Sequence, residues 1–370
     1  MRLYPQHKAR RLPIKAPLHQ VINAVRQAHV QGEQVGVLAD GDPLLYGIGR
    51  RLLQEFDPQD LSFYPGVSAL QAAASRLKLA WDDLPSTSLH GRREIHPVLN
   101  LLARHPLIGV HTDAHWSPDA LARTLMQRGG ERFSLHICQD MGLPSETIQS
   151  LSCARAADMQ FSGLSFVIVQ ETNPRSLELT LGTPDASFSH SQGLITKREV
   201  RCMALGLLQI QPEHTLWDVG AGCGSVGLEA SLLARDGRVV CIEKNPERME
   251  FIRTNRRRSG ALGVDIVSKP APACFAQLPA PDRIVIGGGL SRTPSLVQEA
   301  LEALAPGGRL LVLCTLLSTL EKARQAMDTA GIEPVIHQIQ VSRSHPIGTD
   351  VRLAPLNPVF AVVGEKGEMP

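Results

Sequence analysis

Halfway along the chain runs Leu216-Trp-Asp-Val-Gly-Ala-Gly-Cys-Gly-Ser-Val-Gly227. A short apolar strand leads into a glycine-rich turn, and the residues that follow favour a helix. Nineteen residues after Gly224, Glu243 follows a second apolar run, residues 239–242. This spacing is typical of a nucleotide-binding βαβ unit, in which the glycines let the backbone approach the ligand and the acid reaches the ribose hydroxyls. We therefore expect an adenosine-containing cofactor at this loop.

Two cofactors fit the loop. Gly222-x-Gly224-x-x-Gly227 matches the dinucleotide fingerprint, whereas Asp218-x-Gly220-x-Gly222-x-Gly224 matches the first motif of S-adenosylmethionine methyltransferases. A pyrophosphate favours helix N-terminal amides without a nearby negative charge. Asp218 suits the cationic methionine end of S-adenosylmethionine better, unless it only caps the turn. The motif favours a methyltransferase and leaves a nicotinamide-dependent oxidoreductase as the alternative.

The composition is that of an ordinary globular protein. Its 370 residues are long enough for two domains. Lysine plus arginine is 38 against 36 acids, so the charge gives no reason to expect nucleic acid as a partner. The seven cysteines form no CxxC pair, which predicts reduced thiols, a cytoplasmic location and no metal site. No apolar run approaches the roughly 20 residues of a membrane helix, so no membrane partner is expected.

Strand and helix patterns alternate in both halves. In the first half we predict strands at 34–39, 107–112, 133–138 and 165–169, with helices at 48–56, 68–79 and 118–128. This alternation predicts an α/β domain with a largely parallel sheet. A turn-rich segment at residues 182–187 is the predicted linker. The expected domains are residues 1–180 and 181–370.

The second half shows a fuller βα series. It has five predicted βα units between residues 216 and 330, followed by two late strands at 333–341 and 359–363. A late pair of strands matches the seven-stranded methyltransferase sheet, which ends in an antiparallel hairpin. The pattern therefore predicts a Rossmann-like C-terminal domain with seven strands.

Several phrases of the second half recur together in one family. They lie at residues 193–201, 218–224, 242–246, 271–272, 281–288, 341–343 and 357–360. In this order they resemble the cobalamin-pathway precorrin methyltransferases that methylate carbon 15 and decarboxylate the ring-C acetate. The resemblance covers about residues 190 to 365 and implies S-adenosylmethionine as cofactor and a precorrin as substrate.

The first half resembles a different family, the tetrapyrrole methylases, in their carbon-5 precorrin branch. The matching phrases lie at residues 38–49, 64–69, 81–83, 88–92 and 139–146. The order of the two halves is similar to that of fused enzymes methylating carbons 5 and 15. The family pattern begins with a strand and a Gly-x-Gly-Pro-Gly loop, whereas this chain begins Met1-Arg-Leu-Tyr-Pro5. We expect a truncated N-terminal domain, with roughly thirty pattern residues absent and carbon-5 activity impaired.

The resemblance implies roles for individual residues. It places Thr196, the 220–224 loop, Glu243 and Ala271 around S-adenosylmethionine in the second domain, and Gly41-Asp42-Pro43 around it in the first. In the loop the residues are Gly220, Ala221, Gly222, Cys223 and Gly224. Each has a structural alternative: Thr196 can cap a helix, Glu243 can be a solvated strand end, Ala271-Pro272 a simple turn, and Gly41-Asp42-Pro43 a β-turn.

The implied substrate is a large anionic tetrapyrrole. Gly287 and Gly288 follow the strand 283–286, where ligands of open α/β sheets bind, although a tight turn also explains them. The predicted carboxylate partners are Lys197, Arg201, Arg292 and Arg343. Arg256-Arg-Arg258 lies late in a helix, where the helix dipole explains it. No general acid stands out; His90, His337 and His345 are candidates, against the alternative of structural histidines.

The sequence therefore predicts an α/β protein with a tetrapyrrole-methylase-like domain and a seven-stranded methyltransferase domain. The predicted function is methylation of a precorrin at carbons 5 and 15, with decarboxylation. One alternative keeps only the carbon-15 activity and makes the N-terminal half an assembly module. An RNA methyltransferase and an oxidoreductase are more distant alternatives. The resemblance also implies a homo-oligomer.

Overall fold

The computed structural model describes residues 10–14, 17–161, 165–191, 193–290 and 292–367. Contacts divide the chain into two compact units. The smaller contains Met1–Asp83 with Met141–Pro144, and the larger contains Leu84–Asp140 with Ser145–Pro370. The predicted boundary at residue 180 stays a prediction, because compactness groups residues 84–140 with the C-terminal sheet. The chain start at residues 1–5 lies outside the described residues.

The smaller unit is helical in its described part. Its helices are α1 (Leu18–Val30), α2 (Gly49–Glu55) and α3 (Ala69–Leu77). The prediction of a strand at residues 34–39 is wrong: this segment has no strand partner among the described residues. Val35 and Leu38 are 42% and 71% exposed. Apolar alternation predicts a strand only where a neighbouring strand pairs with its backbone.

The larger unit holds two large sheets. The first has the strand order β1-β2-β5-β3-β4. Its elements are β1 (Ser86–Ser88), α4 (His96–Arg104), β2 (Leu107–His111), α5 (Pro118–Gln127), β3 (Phe133–Gln139), β4 (Thr147–Ser152), α6 (Cys153–Ala157) and β5 (Ser165–Glu171). Only β1–β2 is parallel; the other pairings are antiparallel. The expectation of a largely parallel sheet is wrong, because β3 and β4 are joined by a connection too short for a crossover.

The second sheet has seven strands in the order β11-β14-β10-β9-β6-β7-β8. Its elements are α7 (Arg198–Leu208), β6 (Thr215–Val219), α8 (Ser225–Ala230), β7 (Arg238–Ile242), α9 (Pro246–Ser259), β8 (Val264–Val267), β9 (Arg283–Ile286), α10 (Leu296–Ala303), β10 (Arg309–Cys314), α11 (Leu317–Thr329), β11 (Val335–Ile339) and β14 (Val359–Glu365). Strands β6 to β10 are parallel, and β14 runs antiparallel to β10 and β11. The predicted seven-stranded Rossmann-like sheet is confirmed.

A separate hairpin lies between β11 and β14. It consists of β12 (Ser342–Ile347) and β13 (Asp350–Pro355), which pair antiparallel. Sequence analysis did not predict it.

Both faces of the seven-stranded sheet are covered by helices. Successive residues of a strand point to opposite faces, and Leu216 and Trp217 of β6 accordingly belong to two different hydrophobic clusters. Helices α7 and α8 cover the face of Leu216, and α10 and α11 cover the face of Trp217. Burial on both faces explains why central strands carry apolar residues at successive positions, such as residues 284–286 of β9 and 310–313 of β10, rather than in alternation.

The two sheets of the larger unit are joined by buried contacts. Leu262, which precedes β8, packs in the hydrophobic cluster of the first sheet. Asp265 of β8 accepts hydrogen bonds from Arg128, which follows α5, at 2.7 Å, and contacts His96 of α4 at 3.1 Å. Against the opposing effect of burial, the hydrogen bond with His96 and the charge of Arg128 hold the pKa of Asp265 well below its ordinary value.

No helix within the described ranges has both the length and the apolar character of a membrane span.

Candidate functional site

The glycine loop after β6 takes a conformation that favours glycine. Gly220, Gly222 and Gly224 have φ angles of +73°, +59° and +80°. This left-handed region costs little for glycine and is strained for other residues. The amides of Gly220 and Ala221 donate to the carbonyl of Ile242 at 2.9 and 3.2 Å, which anchors the loop to the end of β7. Gly224 is the N-cap residue of α8.

Asp218 acts within this loop as a buried cap. Its carboxylate accepts from the amide of Gly227 at 2.9 Å, in the first turn of α8, and the residue is 2% exposed. Burial raises its pKa to about 7. The capping alternative therefore describes this contact, and the role of Asp218 toward the cationic methionine end of the cofactor stays a prediction.

Glu243 links the glycine loop to the start of α9 through two hydrogen bonds. Its carboxylate accepts from the amide of Gly222 at 3.0 Å and from that of Asn245 at 2.9 Å. The side chain is 5% exposed, so the alternative of a solvated strand end is wrong. Each carboxylate oxygen can accept a further hydrogen bond. Glu243 is thereby fixed in orientation next to the glycine loop.

A second glycine loop faces the first. Gly287, Gly288 and Gly289 follow β9, the strand next to β6. A Cβ atom on Gly220 would lie 3.2 Å from the carbonyl oxygen of Gly288, whereas one on Gly288 would meet nothing within 4 Å. The two loops therefore approach closely, and open space lies beside Gly288.

A cleft of about 810 Å³ opens at these carboxyl strand ends. Of the residues with predicted roles, those that line it are Thr196, Lys197, Asp218, Gly220, Ala221, Gly222, Cys223, Gly287 and Gly288. Gly224, Glu243 and Ala271 are not among the lining residues. Thr196 is not a helix cap, because the N-cap residue of α7 is Lys197. The size and the position at the strand ends are those of a small-molecule site.

The structure contradicts the predicted role of Arg201 as a ligand of the substrate. Its side chain is completely buried in α7. It donates to Glu229 at 2.9 Å and to Asp185 at 2.8 Å, and two further donors meet the carbonyls of Thr183 and Thr196. These contacts tie the predicted linker to the methyltransferase sheet. Four of the five N–H donors of this buried guanidinium are therefore used internally, and the side chain is not placed to meet a substrate carboxylate.

Arg343 is likewise engaged within the protein. It donates to both carboxylate oxygens of Glu199, at 3.0 and 2.6 Å, and to Asp185 at 3.1 Å. The hydrogen bonds from Arg343 lower the pKa of Glu199 to about 2. The side chain of Arg343 is 38% exposed and does not line the cleft. Its predicted substrate role is not supported by this geometry.

Comparison with known proteins agrees with this architecture. Residues 186–366 match the family model described as precorrin methyltransferase domain, and residues 2–156 match that of tetrapyrrole (corrin/porphyrin) methylases. Precorrin-6Y C(5,15)-methyltransferase [decarboxylating] from Sinorhizobium sp. is 32% identical over 346 residues, covering 91% of this chain and 81% of that relative. The chain belongs to the precorrin-6Y C(5,15)-methyltransferase family.

Two further relatives each match about half of this chain. A Pyrobaculum aerophilum protein named "Probable cobalt-precorrin-6B C(15)-methyltransferase (decarboxylating)" is 34% identical over 186 residues, covering 50% of this chain and 95% of that relative. The solved precorrin-6Y C5,15-methyltransferase from Geobacter metallireducens is 32% identical, covers 50% of this chain and 98% of that chain, and has a TM-score of 0.49. Membership of this family decides for a methyltransferase and against the oxidoreductase alternative.

The remaining predicted site residues of this precorrin methyltransferase family member lie outside the cleft. His90 is exposed after β1 and close to His111, whose pKa burial and His90 lower to about 4. His345 is exposed on β12 and contacts the carbonyl of Pro346 at 3.1 Å. Neither lines the cleft. His337 is half-buried on β11 and Arg292 is exposed, and neither lines the cleft.

The Gly41-Asp42-Pro43 turn belongs to the smaller unit. Gly41 has a φ angle of +66°, and its carbonyl oxygen lies 2.6 Å from a Cβ placed on Gly66. Asp42 accepts from the amide of Leu44 at 2.8 Å. This contact fits the β-turn alternative and leaves the ligand role a prediction.

The cleft also has polar residues to which the sequence motifs assigned no role, among them an arginine and an asparagine. Arg248, in the first turn of α9, and Asn357, before β14, both line it. Each lies in or next to a phrase shared with the family, at 242–246 and 357–360, and this was the signal available. Among the described lining residues, Lys197 and Arg248 are the cationic side chains.

Proposed function

We propose that the chain methylates a precorrin at carbons 5 and 15, using S-adenosylmethionine, and decarboxylates the ring-C acetate. The names of the relatives that match most of its length support this function. The observation that carries the proposal is the cleft between two glycine loops at the ends of β6 and β9. A cytoplasmic location, predicted from the cysteine pattern, and an assembly of identical chains, implied by the resemblance, stay part of the proposal.

The geometry of the first loop fits S-adenosylmethionine. Positive φ angles at Gly220, Gly222 and Gly224 keep side chains away from the ligand path. Glu243, held by two backbone amides, keeps acceptor capacity on each oxygen for the ribose hydroxyls. Thr196, Ala221 and Cys223 complete the proposed cofactor wall, and Ala271 stays a weaker candidate beyond it.

The second glycine loop and two cationic side chains of the cleft suit a precorrin as substrate. The space beside Gly288 admits a flat macrocycle, and Lys197 and Arg248 offer charge to its carboxylates. Lys197 Nζ already donates to the carbonyl of Gly193 at 3.0 Å, which leaves two further donors.

Methyl transfer requires mainly that the ring carbon and the methyl group are positioned against each other. Bound S-adenosylmethionine supplies an activated methyl group, and the residues of the cleft hold the ring carbon in line with it while excluding water. We assign no proton donor to the decarboxylation.

The smaller unit supports a second candidate function, in which only the carbon-15 activity operates. In both candidates we assign carbon-15 methylation and decarboxylation to residues 181–370. The first candidate adds carbon-5 methylation, which we assign to residues 1–180. Residues 34–39, which lead into Gly41-Asp42-Pro43, form no strand, and Leu38 is 71% exposed. This observation favours a chain in which only the carbon-15 activity operates.

Calorimetric titration with S-adenosylhomocysteine tests both candidates. The proteins are the wild type, Glu243→Ala, Asp42→Ala and, as a control, Glu247→Ala, an exposed acid in the first turn of α9. Loss of charged hydrogen bonds to the ribose is expected to weaken binding by about tenfold or more in Glu243→Ala. Mass spectrometry of a precorrin incubated with each protein then counts added methyl groups and lost carbon dioxide.

The outcomes separate the candidates. Two sites per chain, one lost in Glu243→Ala and the other in Asp42→Ala, support methylation at both carbons. One site, lost only in Glu243→Ala, together with a single added methyl group, supports the carbon-15 activity alone. No binding in the wild type overturns the use of S-adenosylmethionine.

A further inference from the structure

A second cavity lies beside the edge strand β8 of the larger unit. Its volume is about 360 Å³, and it shares no lining residue with the glycine-loop cleft. Its described lining includes four arginines, Arg128, Arg238, Arg253 and Arg256, and one acid, Asp265. Val240, Val267 and Leu278 form part of an apolar wall. No role assigned above uses this cavity.

The single carboxylate that lines the cavity is already engaged by two arginines. Asp265 accepts from Arg128 and from Arg238, each at 2.7 Å, and contacts His96 at 3.1 Å. Arg253 pairs with Glu250 at 3.3 Å, but both side chains are about half exposed or more, where solvent screens the pair. The cavity therefore carries an excess of positive charge.

Arg256 is the least compensated of the four arginines. It is 8% exposed, and its Nη atoms donate only to the carbonyls of Val264 and Gln127, at 3.1 and 3.2 Å. Its Nε–H is buried without a hydrogen-bond partner, and no carboxylate within the described ranges pairs with it. Burial and the nearby Arg128 lower its pKa to about 10, so it is still charged at neutral pH. A buried cation with an unused donor costs free energy that an anion would offset.

We propose that this cavity binds a phosphoryl group. Guanidinium groups match phosphate oxygens with paired hydrogen bonds, and several converge here on one partly buried space. An oxyanion there supplies both the missing negative charge and an acceptor near Arg256. The volume suits a small ligand. Free phosphate or diphosphate and the phosphates of a nucleotide share this chemistry.

Titration calorimetry of the full chain with inorganic phosphate, diphosphate and ADP tests the proposal. Propane-1,2,3-tricarboxylate serves as a probe for carboxylate binding. The test variant is Arg253→Gln, and the matched control is Arg324→Gln, because Arg324 forms the same i,i+3 pair with an exposed glutamate. A second variant, Arg256→Gln, is checked for folding by circular dichroism before titration.

One phosphoryl site per chain is expected. Its dissociation constant should rise by about tenfold or more in Arg253→Gln and stay unchanged in Arg324→Gln. Tighter binding of ADP than of diphosphate identifies a nucleotide as the source, and equal or weaker binding identifies a free anion. S-adenosylhomocysteine should not displace the ligand.

Three results would overturn the proposal. The first is no saturable binding of any phosphoryl probe to the wild type. The second is equal weakening in both exposed variants, which would show only a general charge effect. The third is binding of the tricarboxylate alone, which would assign the cavity to carboxylates. Because Arg253 is exposed, its variant decides the question even where Arg256→Gln does not fold.

Discussion

Arg201 shows at the scale of one residue how burial reverses a functional interpretation. Its charge and its place at the start of α7 made it a candidate for a substrate carboxylate, but Glu229, one of its two acidic partners, is also completely buried. Burial raises the pKa of Glu229, and Arg201 opposes that rise. The pair is therefore a unit of the folded core, in which each charge depends on the other.

Arg201→Met is expected to destabilise the protein by about 3–5 kcal/mol, because it leaves Glu229 as an unpaired buried charge. Urea unfolding at neutral pH measures this loss, and Arg198→Met, an exposed arginine of the same helix, is the control. The deficit should shrink as the pH falls, since a protonated Glu229 needs no cation. Unchanged stability combined with a raised KM for the precorrin would restore the substrate role.

At the scale of elements, two glycines of the site have different steric surroundings. A Cβ on Gly227 of α8 would lie 2.4 Å from Cys241 Sγ on β7, so this glycine permits helix and strand to pack. A Cβ on Gly288 would meet nothing within 4 Å, yet Gly288 lines the cleft. One glycine therefore serves the fold, and the other is free to serve a ligand.

Gly227→Ala is expected to cost about 1–3 kcal/mol of stability through overpacking. Gly288→Ala should leave stability within about 0.5 kcal/mol, because its methyl group points into open space. It should instead raise the KM for the precorrin, measured by methyl transfer. An unchanged KM in Gly288→Ala would show that the 287–289 loop is only a tight turn and has no role in binding the precorrin.

The same scale shows which elements the sequence could predict. Strand β9 was predicted residue for residue at 283–286, because a short apolar run between breakers is unambiguous when both faces are buried. Strand β4 was missed, since none of its residues is buried and most of them are polar. The strand at 34–39 was predicted wrongly, because pairing depends on distant segments. The glycine loops were found by their motifs, whereas the partners of Arg201 and Arg343 required the fold.

At the scale of the whole molecule, the apolar core is distributed unequally. Among the described residues, the three hydrophobic clusters consist of residues between 89 and 363, within the larger unit. The smaller unit instead exposes large apolar side chains, among them Leu38 and Tyr64, which are 71% and 83% exposed. Stability should therefore reside in the larger unit, whose two sheets share Leu262 and the cluster around Asp265.

A fragment of residues 84–370 is accordingly expected to fold without the smaller unit. Burial of apolar surface is the main favourable term in folding, and this fragment retains every described cluster. Its urea unfolding should be cooperative, with a midpoint close to that of the full chain's main transition, and it should keep one S-adenosylhomocysteine site that Glu243→Ala removes. The matched fragment of residues 1–83 should show no cooperative transition. A molten 84–370 fragment that binds a hydrophobic dye and lacks near-ultraviolet circular dichroism would contradict this distribution of stability, because the missing segment would then be part of the core.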